Sequence, residues 1–303
     1  MASWRSGTTK QYQTYLAKWQ AFCNEHKLDT FAPGIENAIE FLVSLYNSGL
    51  GYSAINTARS ALSTVLILQN GRKFGEHPLV CRYMRGIFQL RPALPKYSET
   101  WDVNVVLTHL KTFAEAALLP IKDLTIKLNI LLFLTTGQRG QTIHKLDINF
   151  IQAVPNGYRI TIKDKLKSTR PGKHLAPLDL MEFPEEPSLS VTVHLREYLK
   201  RTSSYRGENT QLFLSYRKPF KPVSKDTLSR WIKEILKAAG INTEKYSPHS
   251  TRAASTSKCG SKGLQIDEIL KTAGWSNAGT FARFYRKPFD TEEQNFGNTL
   301  LKR

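Results

Sequence analysis

Acidic residues are scarce in this sequence of 303 residues, which has 43 Lys and Arg against 25 Asp and Glu and a formal net charge of +18. A chain this basic repels itself, which indicates a polyanionic partner, either nucleic acid or an acidic membrane surface. The acidic residues are also scattered, so the clustered carboxylates of a two-metal nuclease are hard to find and we predict no metal site. Cleavage of nucleic acid, if it occurs, would have to proceed without metal.

Cysteine and long apolar runs are scarce as well. Cys23, Cys81 and Cys259 are odd in number and far apart, which fits neither a disulfide framework nor paired zinc ligands. The longest apolar run, residues 130–134, is far shorter than the roughly 20 residues of a membrane span, so we expect no membrane association. The opening MASWRSGTTK has no apolar stretch of the kind found in a secretory signal. We therefore expect a reducing intracellular compartment.

Four widespread catalytic motifs are missing. The sequence has no Walker A loop, no G-x-G-x-x-G after a strand, no H-E-x-x-H and no G-x-S-x-G. Their absence argues against nucleotide hydrolysis, hydride transfer and serine hydrolysis. The chain is 41% hydrophobic and 11% aromatic, which is enough to bury a core in each of about two domains.

Hydrophobic periodicity predicts a mainly α-helical protein with a small antiparallel β-sheet. Residues 1–91 carry apolar stripes that predict a bundle of four helices. Residues 92–100 hold two prolines among polar residues, which indicates a linker. In residues 101–303 the helices flank an alternating pattern that predicts three strands, the third at Leu175–Leu178. A basic hairpin loop, KDKLKSTRPGK (163–173), separates the second and third strands.

The segment SPHSTR (247–252) predicts the start of a helix, with Ser247 as its cap and Pro248 as its first residue. His249 and Arg252 would then lie on one face near the helix N-terminus, where free N–H groups favour a phosphate. Metal-free attack on a phosphodiester needs a nucleophile, cations for the non-bridging oxygens and an acid for the leaving oxygen. A His–Arg pair at this spacing is common by chance, and a satisfied core histidine is the alternative interpretation.

Five segments occur in the order and approximate spacing of the tyrosine recombinase family, which includes phage integrases: TTGQRGQTI (135–143), the basic hairpin loop, SPHSTR, AGWSN (273–277) and FARFYRKP (281–288). Finer phrases such as INTARSALS and RGIFQLRPALPKY most resemble recombinases of DIRS- and Ngaro-type transposable elements. The resemblance covers the whole chain. It implies a helical, SAM-like DNA-binding domain at 1–91, a linker at 92–100 and a catalytic domain at 101–303.

The resemblance also implies the roles of the site residues. Tyr285 would be the nucleophile that attacks the scissile phosphate, forms a 3′-phosphotyrosyl bond and releases a 5′-hydroxyl. Arg139 and Arg252 would clamp the non-bridging oxygens as bidentate donors. His249 would assist proton transfer and phosphate binding. Trp275 stands where many relatives carry a second histidine; its indole N–H can donate to phosphate but cannot take a proton.

The general acid of the resembled family lies on the β-hairpin. Lys167 matches it best here, and Lys165 is the alternative. Thr142 occupies a position at which relatives usually carry an acidic residue. Whatever the carboxylate of the relatives does for the active site is therefore done by another group here, or not at all. No cofactor is implied, because the phosphotyrosyl bond conserves the phosphodiester energy.

Double-stranded DNA is the implied partner, with a homotetramer acting on two DNA sites and Thr291–Arg303 docking on a neighbouring protomer. The resemblance to transposon enzymes suggests the nucleus of a eukaryote, or otherwise the cytoplasm. For the loop cations other than the general acid, contact with the DNA backbone is the simpler interpretation. The candidate DNA-binding residues are Arg59, Lys165, Arg170, Lys225 and Arg230.

Two other functions stay open at this point. A type IB topoisomerase uses nearly the same residues, and a plasmid relaxation assay would separate it from a recombinase. A transposon-derived DNA-binding protein that no longer cleaves would shift DNA without forming an adduct. The N-terminal bundle with its linker favours a recombinase over a topoisomerase, and the intact catalytic set argues against decay.

Overall fold

The chain folds as two units, residues 1–95 and 96–303, and each has its own hydrophobic core. No described helix combines the length and apolar character that crossing a bilayer requires. The computed structural model describes residues 4–66, 68, 71–94, 97–167, 169–172, 174–275 and 277–289.

The first unit is helical. Its apolar stripes meet in one core, where Trp19, Leu42 and Ile55 are almost fully buried and the Trp19 indole packs edge-on against Phe41 with ring centroids 5.2 Å apart. Burial of these stripes, more than helix propensity, stabilises such short helices. The described elements of this unit are α1 (Ser6–His26), α2 (Ile35–Asn47), α3 (Tyr52–Leu62), a 3₁₀ turn (Phe74–Glu76) and α4 (Pro78–Leu90).

The second unit is built around α6 (Ile121–Thr136), which is buried on all sides from residue 124 to residue 134 and is mostly apolar there. A helix with this pattern belongs in the middle of a core, and α8 (Val191–Thr202), α9 (Lys225–Ala238) and α10 (Ser250–Ser261) pack against it. The described helices of this unit are α5 (Val103–Lys111), α6 (Ile121–Thr136), α7 (Gly140–His144), α8 (Val191–Thr202), α9 (Lys225–Ala238), α10 (Ser250–Ser261), α11 (Ile266–Ala273) and α12 (Ala278–Phe284).

A small antiparallel sheet in the order β1-β2-β3 completes the second unit, which confirms the mainly α fold class with a small β-sheet. The third strand begins three residues later than the predicted Leu175–Leu178. Pro177 has no N–H for the strand ladder, so pairing starts at Leu178, which is buried opposite Ile160. The strands are β1 (Ile151–Val154), β2 (Gly157–Ile160) and β3 (Leu178–Met181).

Candidate active site

The end of α6 positions the first arginine of the predicted site. Gly137 terminates the helix with a φ of +57°, and its N–H donates to the carbonyl of Phe133 at 3.1 Å. Glycine suits this left-handed conformation because it has no Cβ to clash with the backbone. The chain turns here and enters α7 with Arg139 at the N-cap. Arg139 is half-buried and lines a cleft.

A second glycine positions the tryptophan. Gly274 ends α11 with a φ of +67°, and its N–H bonds back to Lys271 at 3.2 Å. A Cβ at Gly274 would lie only 2.6 Å from Cδ1 of Leu175 in the loop before β3. The left-handed conformation therefore favours glycine, and a Cβ here would also force the Leu175 side chain to shift. Trp275, which follows, is 8% exposed and faces the same cleft as Arg139.

The histidine and the second arginine come from the start of α10. The predicted helix start at Pro248 is wrong by two residues, because residues 247–249 form a turn in which the Ser250 N–H donates to the Ser247 carbonyl at 2.8 Å. His249 is consequently the N-cap of α10, without a capping hydrogen bond from its side chain, and Arg252 lies in the first turn.

Arg252 joins the ends of two other helices. Its side chain is buried, at 1% exposure, and its terminal nitrogens donate to the carbonyls of Gly137 at 2.8 Å and Ala273 at 2.7 Å. Those carbonyls end α6 and α11, where unpaired C=O groups and the helix dipoles favour a cation. Arg252 thus links the turn at Gly137, after α6, to the turn at Gly274, after α11. Sequence reasoning did not predict this structural role.

Tyr285 lies directly after α12 and packs against these residues. Its hydroxyl oxygen is 3.3 Å from Nε2 of His249, and its ring is 4.5 Å from that of Trp275. The Arg252 guanidinium lies 3.9 Å from the Trp275 ring centroid and 5.5 Å from that of Tyr285. Four of the six residues predicted to be catalytic are therefore in contact here, and the other two, Arg139 and Lys167, line the same cleft.

The cleft has a volume of about 640 Å³ and a strongly basic wall. None of the described residues that line it is acidic. A concave basic surface of this kind concentrates anions. Of the site residues predicted from the sequence, six line the cleft: Arg139, Lys167, Arg170, His249, Trp275 and Tyr285.

The electrostatics of the cleft act on His249. Loss of solvation at the cleft wall, followed by the positive charges of Arg252, Arg139 and Lys167, lowers the pKa of this imidazole below its ordinary 6.5. A neutral imidazole at physiological pH can accept a proton through one ring nitrogen. Burial and the charge of Arg139 lower the pKa of Arg252 as well. Arginine nevertheless remains a cation because its intrinsic pKa is so high.

Two buried donors beside the cleft are unpaired. Nε of Arg252 and Nε1 of Trp275 have no hydrogen-bond partner among the described residues. Leaving a buried N–H unpaired costs about 1–3 kcal/mol, and such groups in folded proteins call for an explanation. Trp275 lines the cleft and Arg252 stacks on its indole ring, which makes these N–H groups candidate donors to an anion bound there.

The hairpin loop between β2 and β3 supplies the lysine. Lys167 lines the cleft, and its backbone N–H donates to Oε1 of Gln141 on α7 at 3.2 Å. Lys165 is exposed on the same loop but is not among the cleft-lining residues. This arrangement favours Lys167 over Lys165 as the candidate acid. Thr142, at the position that is usually acidic, is buried at 3% exposure.

The predicted DNA-binding residues lie in different settings. Arg170 lines the cleft, and Lys225 and Arg230 are exposed on α9. Arg59 is half-buried in the first unit and donates to the Gly75 carbonyl at 3.1 Å. DNA binding by these residues remains a prediction. Lys173 and Thr291–Arg303 lie outside the described residues.

Sequence reasoning missed three polar residues that line the cleft, His174, Lys271 and Asn277. His174 directly follows the basic loop, and Lys271 lies near the end of α11, four residues before Trp275. Asn277 caps α12 by accepting the Gly279 N–H at 2.7 Å. Each lies within a few residues of a recognised motif, which is the signal that would have found it.

Comparisons with known structures agree on the fold. The chain resembles the XerH recombinase in a post-cleavage complex with a palindromic difH substrate, with a TM-score of 0.55 and 19% identity over 81% of this chain and 66% of that chain. It resembles a lambda integrase dimer bound to a COC′ core site, with a TM-score of 0.54 and 14% identity over 96% of this chain and 92% of that chain. It also resembles the Tn1549 transposon integrase in complex with circular intermediate DNA, with a TM-score of 0.53 and 12% identity over 89% of this chain and 85% of that chain.

These likenesses are too distant in sequence to show more than a common fold, and the chain spans just under two thirds of the length of the XerH chain. No curated protein sequence matches the chain. The family model described as the phage integrase family matches residues 103–292, which is more than half of the chain. The protein therefore belongs to the phage integrase family.

Proposed function

We propose that this protein is a site-specific DNA recombinase that cleaves and rejoins DNA strands through a 3′-phosphotyrosyl intermediate. One observation carries the proposal: the Tyr285 hydroxyl lies 3.3 Å from His249 Nε2, at a basic cleft with two unpaired buried donors. A nucleophile beside a base and next to an anion site is the arrangement that phosphoryl transfer needs. Family membership supports the same conclusion.

In the proposed reaction, the Tyr285 oxygen attacks the scissile phosphorus and its proton passes to His249. The P–O bond to tyrosine forms while the P–O5′ bond breaks, and Lys167 gives a proton to the departing 5′ oxygen. Arg139 and Arg252 neutralise the non-bridging oxygens. Rejoining is the reverse reaction with a new 5′-hydroxyl. Arginine and lysine supply the charge that a metal would otherwise supply, so we propose a metal-independent reaction.

The Arg252 contacts refine its proposed role. Two of its five N–H donors are held by the carbonyls of Gly137 and Ala273. Its unpaired Nε and the remaining terminal N–H groups are the donors left for a phosphate. The proposed clamp is therefore a side chain already fixed in orientation, which reduces the reorganisation needed in the transition state.

We further propose that the substrate is double-stranded DNA, bound by a helical domain at 1–91 and a catalytic domain at 101–303, with a linker at 92–100. Exposed cations on α9, Lys225 and Arg230, would contact the DNA backbone. XerH and lambda integrase were solved on DNA, the latter as a dimer, which supports oligomeric action on DNA sites. A homotetramer on two duplexes is the proposed state.

A transposon context is part of the proposal. Phrases in the sequence resemble DIRS- and Ngaro-type recombinases, and a transposon integrase shares the fold. We propose that the protein integrates or excises such an element, in the nucleus of a eukaryotic host.

The test is covalent capture of DNA. The wild-type protein is incubated with a library of randomised duplexes, denatured in detergent, and the DNA that stays attached to protein is sequenced. We expect a consensus site. A nicked duplex of that site, from which the short 5′-hydroxyl fragment escapes, should then accumulate adduct with the wild type and none with Tyr285→Phe.

Tyr205→Phe is the matched control, because Tyr205 is another half-buried tyrosine of the second unit that lies outside the cleft. It should form adduct at the wild-type rate. Adduct formation by Tyr285→Phe would refute the nucleophile assignment. Sequence-specific binding without any adduct by the wild type would refute cleavage and favour a protein that only binds DNA.

A further inference from the structure

The segment that follows the nucleophile is fixed by a serine from another helix. Ser257 on α10 donates its hydroxyl proton to the Tyr285 carbonyl at 2.8 Å and accepts the Lys287 N–H at 3.0 Å. The serine is 6% exposed. One hydroxyl therefore uses both its donor and an acceptor position on backbone groups on either side of Arg286.

Tyr285 needs such support because it lies at a helix end. It follows the seven-residue α12 with φ −128° and ψ −25°, outside the helical region, although its N–H still donates to the Phe281 carbonyl at 2.9 Å. The last carbonyls of a helix have no partner within it, and a helix this short has little stability of its own. Ser257 gives the Tyr285 carbonyl the partner that α12 does not provide.

The same helix carries the groups with which Tyr285 must align. His249 and Arg252 precede Ser257 by eight and five residues, within about 12 Å along α10 at 1.5 Å per residue. His249 at the start of α10 and Ser257 further along the same helix therefore together determine where the Tyr285 hydroxyl lies relative to the His249 ring. A small displacement of the tyrosine backbone would move its hydroxyl out of line with the phosphate.

A second set of bonds holds the chain beyond Lys287. The Thr100 N–H donates to the Pro288 carbonyl at 2.8 Å, next to a parallel bridge between Thr100 and Phe289. The Lys287 ammonium donates to the Tyr97 carbonyl. Residues 97–100 and 285–289 thus lie side by side within the second unit. The stretch after Tyr285 is held at both of its ends, with Ser257 nearer to the tyrosine.

We propose that Ser257 is a positioning residue for the nucleophile: it holds the Tyr285 backbone so that the hydroxyl meets the phosphate in line. This inference rests on the proposed function. Ser257 does not touch the reacting atoms, and it has no part in protonation of the leaving 5′ oxygen. Its loss should slow attack by tyrosine while DNA binding stays unchanged.

The test compares two leaving groups on the duplex selected by covalent capture. One substrate has the normal phosphodiester and the other a 5′-bridging phosphorothiolate, whose sulfur leaves without help from an acid. Under single turnover, Ser257→Ala should form adduct about 10- to 100-fold more slowly on both substrates, because misplacement of a reacting group costs up to about 10²-fold. Lys167→Ala should be slow only on the oxygen substrate.

Two further variants complete the design. Ser257→Thr keeps the hydroxyl and should recover most of the rate. Ser255→Ala removes a neighbouring hydroxyl of α10 that is 5% exposed and, among the described residues, bonds only to the Arg252 carbonyl, at 3.4 Å, so it should react at the wild-type rate. If Ser257→Ala does not fold, Ser257→Cys, which nearly keeps the volume but is a weak hydrogen-bond donor, takes its place and should be slow on both substrates.

Each result decides between explanations. A wild-type rate in Ser257→Ala or Ser257→Cys would overturn the positioning role and leave the proposed function intact. A wild-type rate of the slow Ser257 variant on the phosphorothiolate substrate would also overturn the positioning role, because the defect would then lie in protonation of the leaving group. Absence of adduct with the wild type on either substrate would overturn the proposed function and the positioning role together.

Discussion

Lys127 offers a direct test of the electrostatics of the second core. It lies in the middle of α6 with 0% exposure, and its ammonium has no hydrogen-bond partner among the described residues. The ammonium lies over the Phe113 ring, whose centroid is 5.5 Å away. Burial lowers the pKa of Lys127 from 10.5 to about 8, and the charge of Glu186 opposes this shift. Replacing this lysine with methionine should therefore stabilise the unit.

The expected magnitude follows from the two pKa values. A folded-state pKa of about 8 against 10.5 in the unfolded chain corresponds to about 3 kcal/mol of destabilisation when the lysine is charged in both states. The unfolded chain binds more protons between these values, so wild-type stability should rise with pH across that window. Lys127→Met should gain about 3 kcal/mol at pH 7 and less than about 1 kcal/mol at pH 10. Methionine also packs well against an aromatic ring.

Urea denaturation followed by tryptophan fluorescence measures this difference, since Trp101, Trp231 and Trp275 all lie in the second unit. Comparing variant with wild type at each pH cancels the titration of other groups. Lys122→Met is the control, because Lys122 is exposed at the start of the same helix and should give a small difference that does not change with pH. A Lys127→Met protein less stable than wild type, or a gain that stays constant from pH 7 to pH 10, would refute the reasoning.

Two further predictions concern DNA. Arg252→Lys should lower the single-turnover cleavage rate by about 10²- to 10³-fold, since one ammonium cannot hold two carbonyls and a phosphate in the geometry of a guanidinium; unchanged cleavage would contradict this. Lys225→Ala should reduce the slope of log Kd against log salt concentration by about 1 and leave cleavage at saturating DNA unchanged. The control Lys200→Ala, on α8, should change neither the slope nor the cleavage rate. An unaltered slope in Lys225→Ala would remove this residue from the proposed DNA interface.

The sequence allowed prediction of the fold class and of the residues that meet in the cleft, because motifs at helix ends can be recognised by order and spacing. It did not reveal the contacts between elements. Arg252 could be matched to a family motif, but its bonds to the carbonyls of Gly137 and Ala273 depend on how three helices pack. Ser257 escaped notice for the same reason, since a serine inside a helix carries no signal of a partner 28 residues away. The start of β3 was misplaced because alternation alone does not weigh the missing N–H of Pro177.

The residues proposed for catalysis lie at helix ends or in loops, where the backbone is least constrained by its own hydrogen bonds. Arg139 is the N-cap residue of α7, His249 is the N-cap residue of α10, and Tyr285 follows the last residue of α12. Side chains in such places keep a fixed geometry only if other elements hold them. In this molecule α10 supplies both holding groups, Arg252 for the turns after α6 and α11 and Ser257 for the turn after α12. Substitution of Arg252 or Ser257 on α10 should consequently disturb catalysis more than equally buried substitutions in α8.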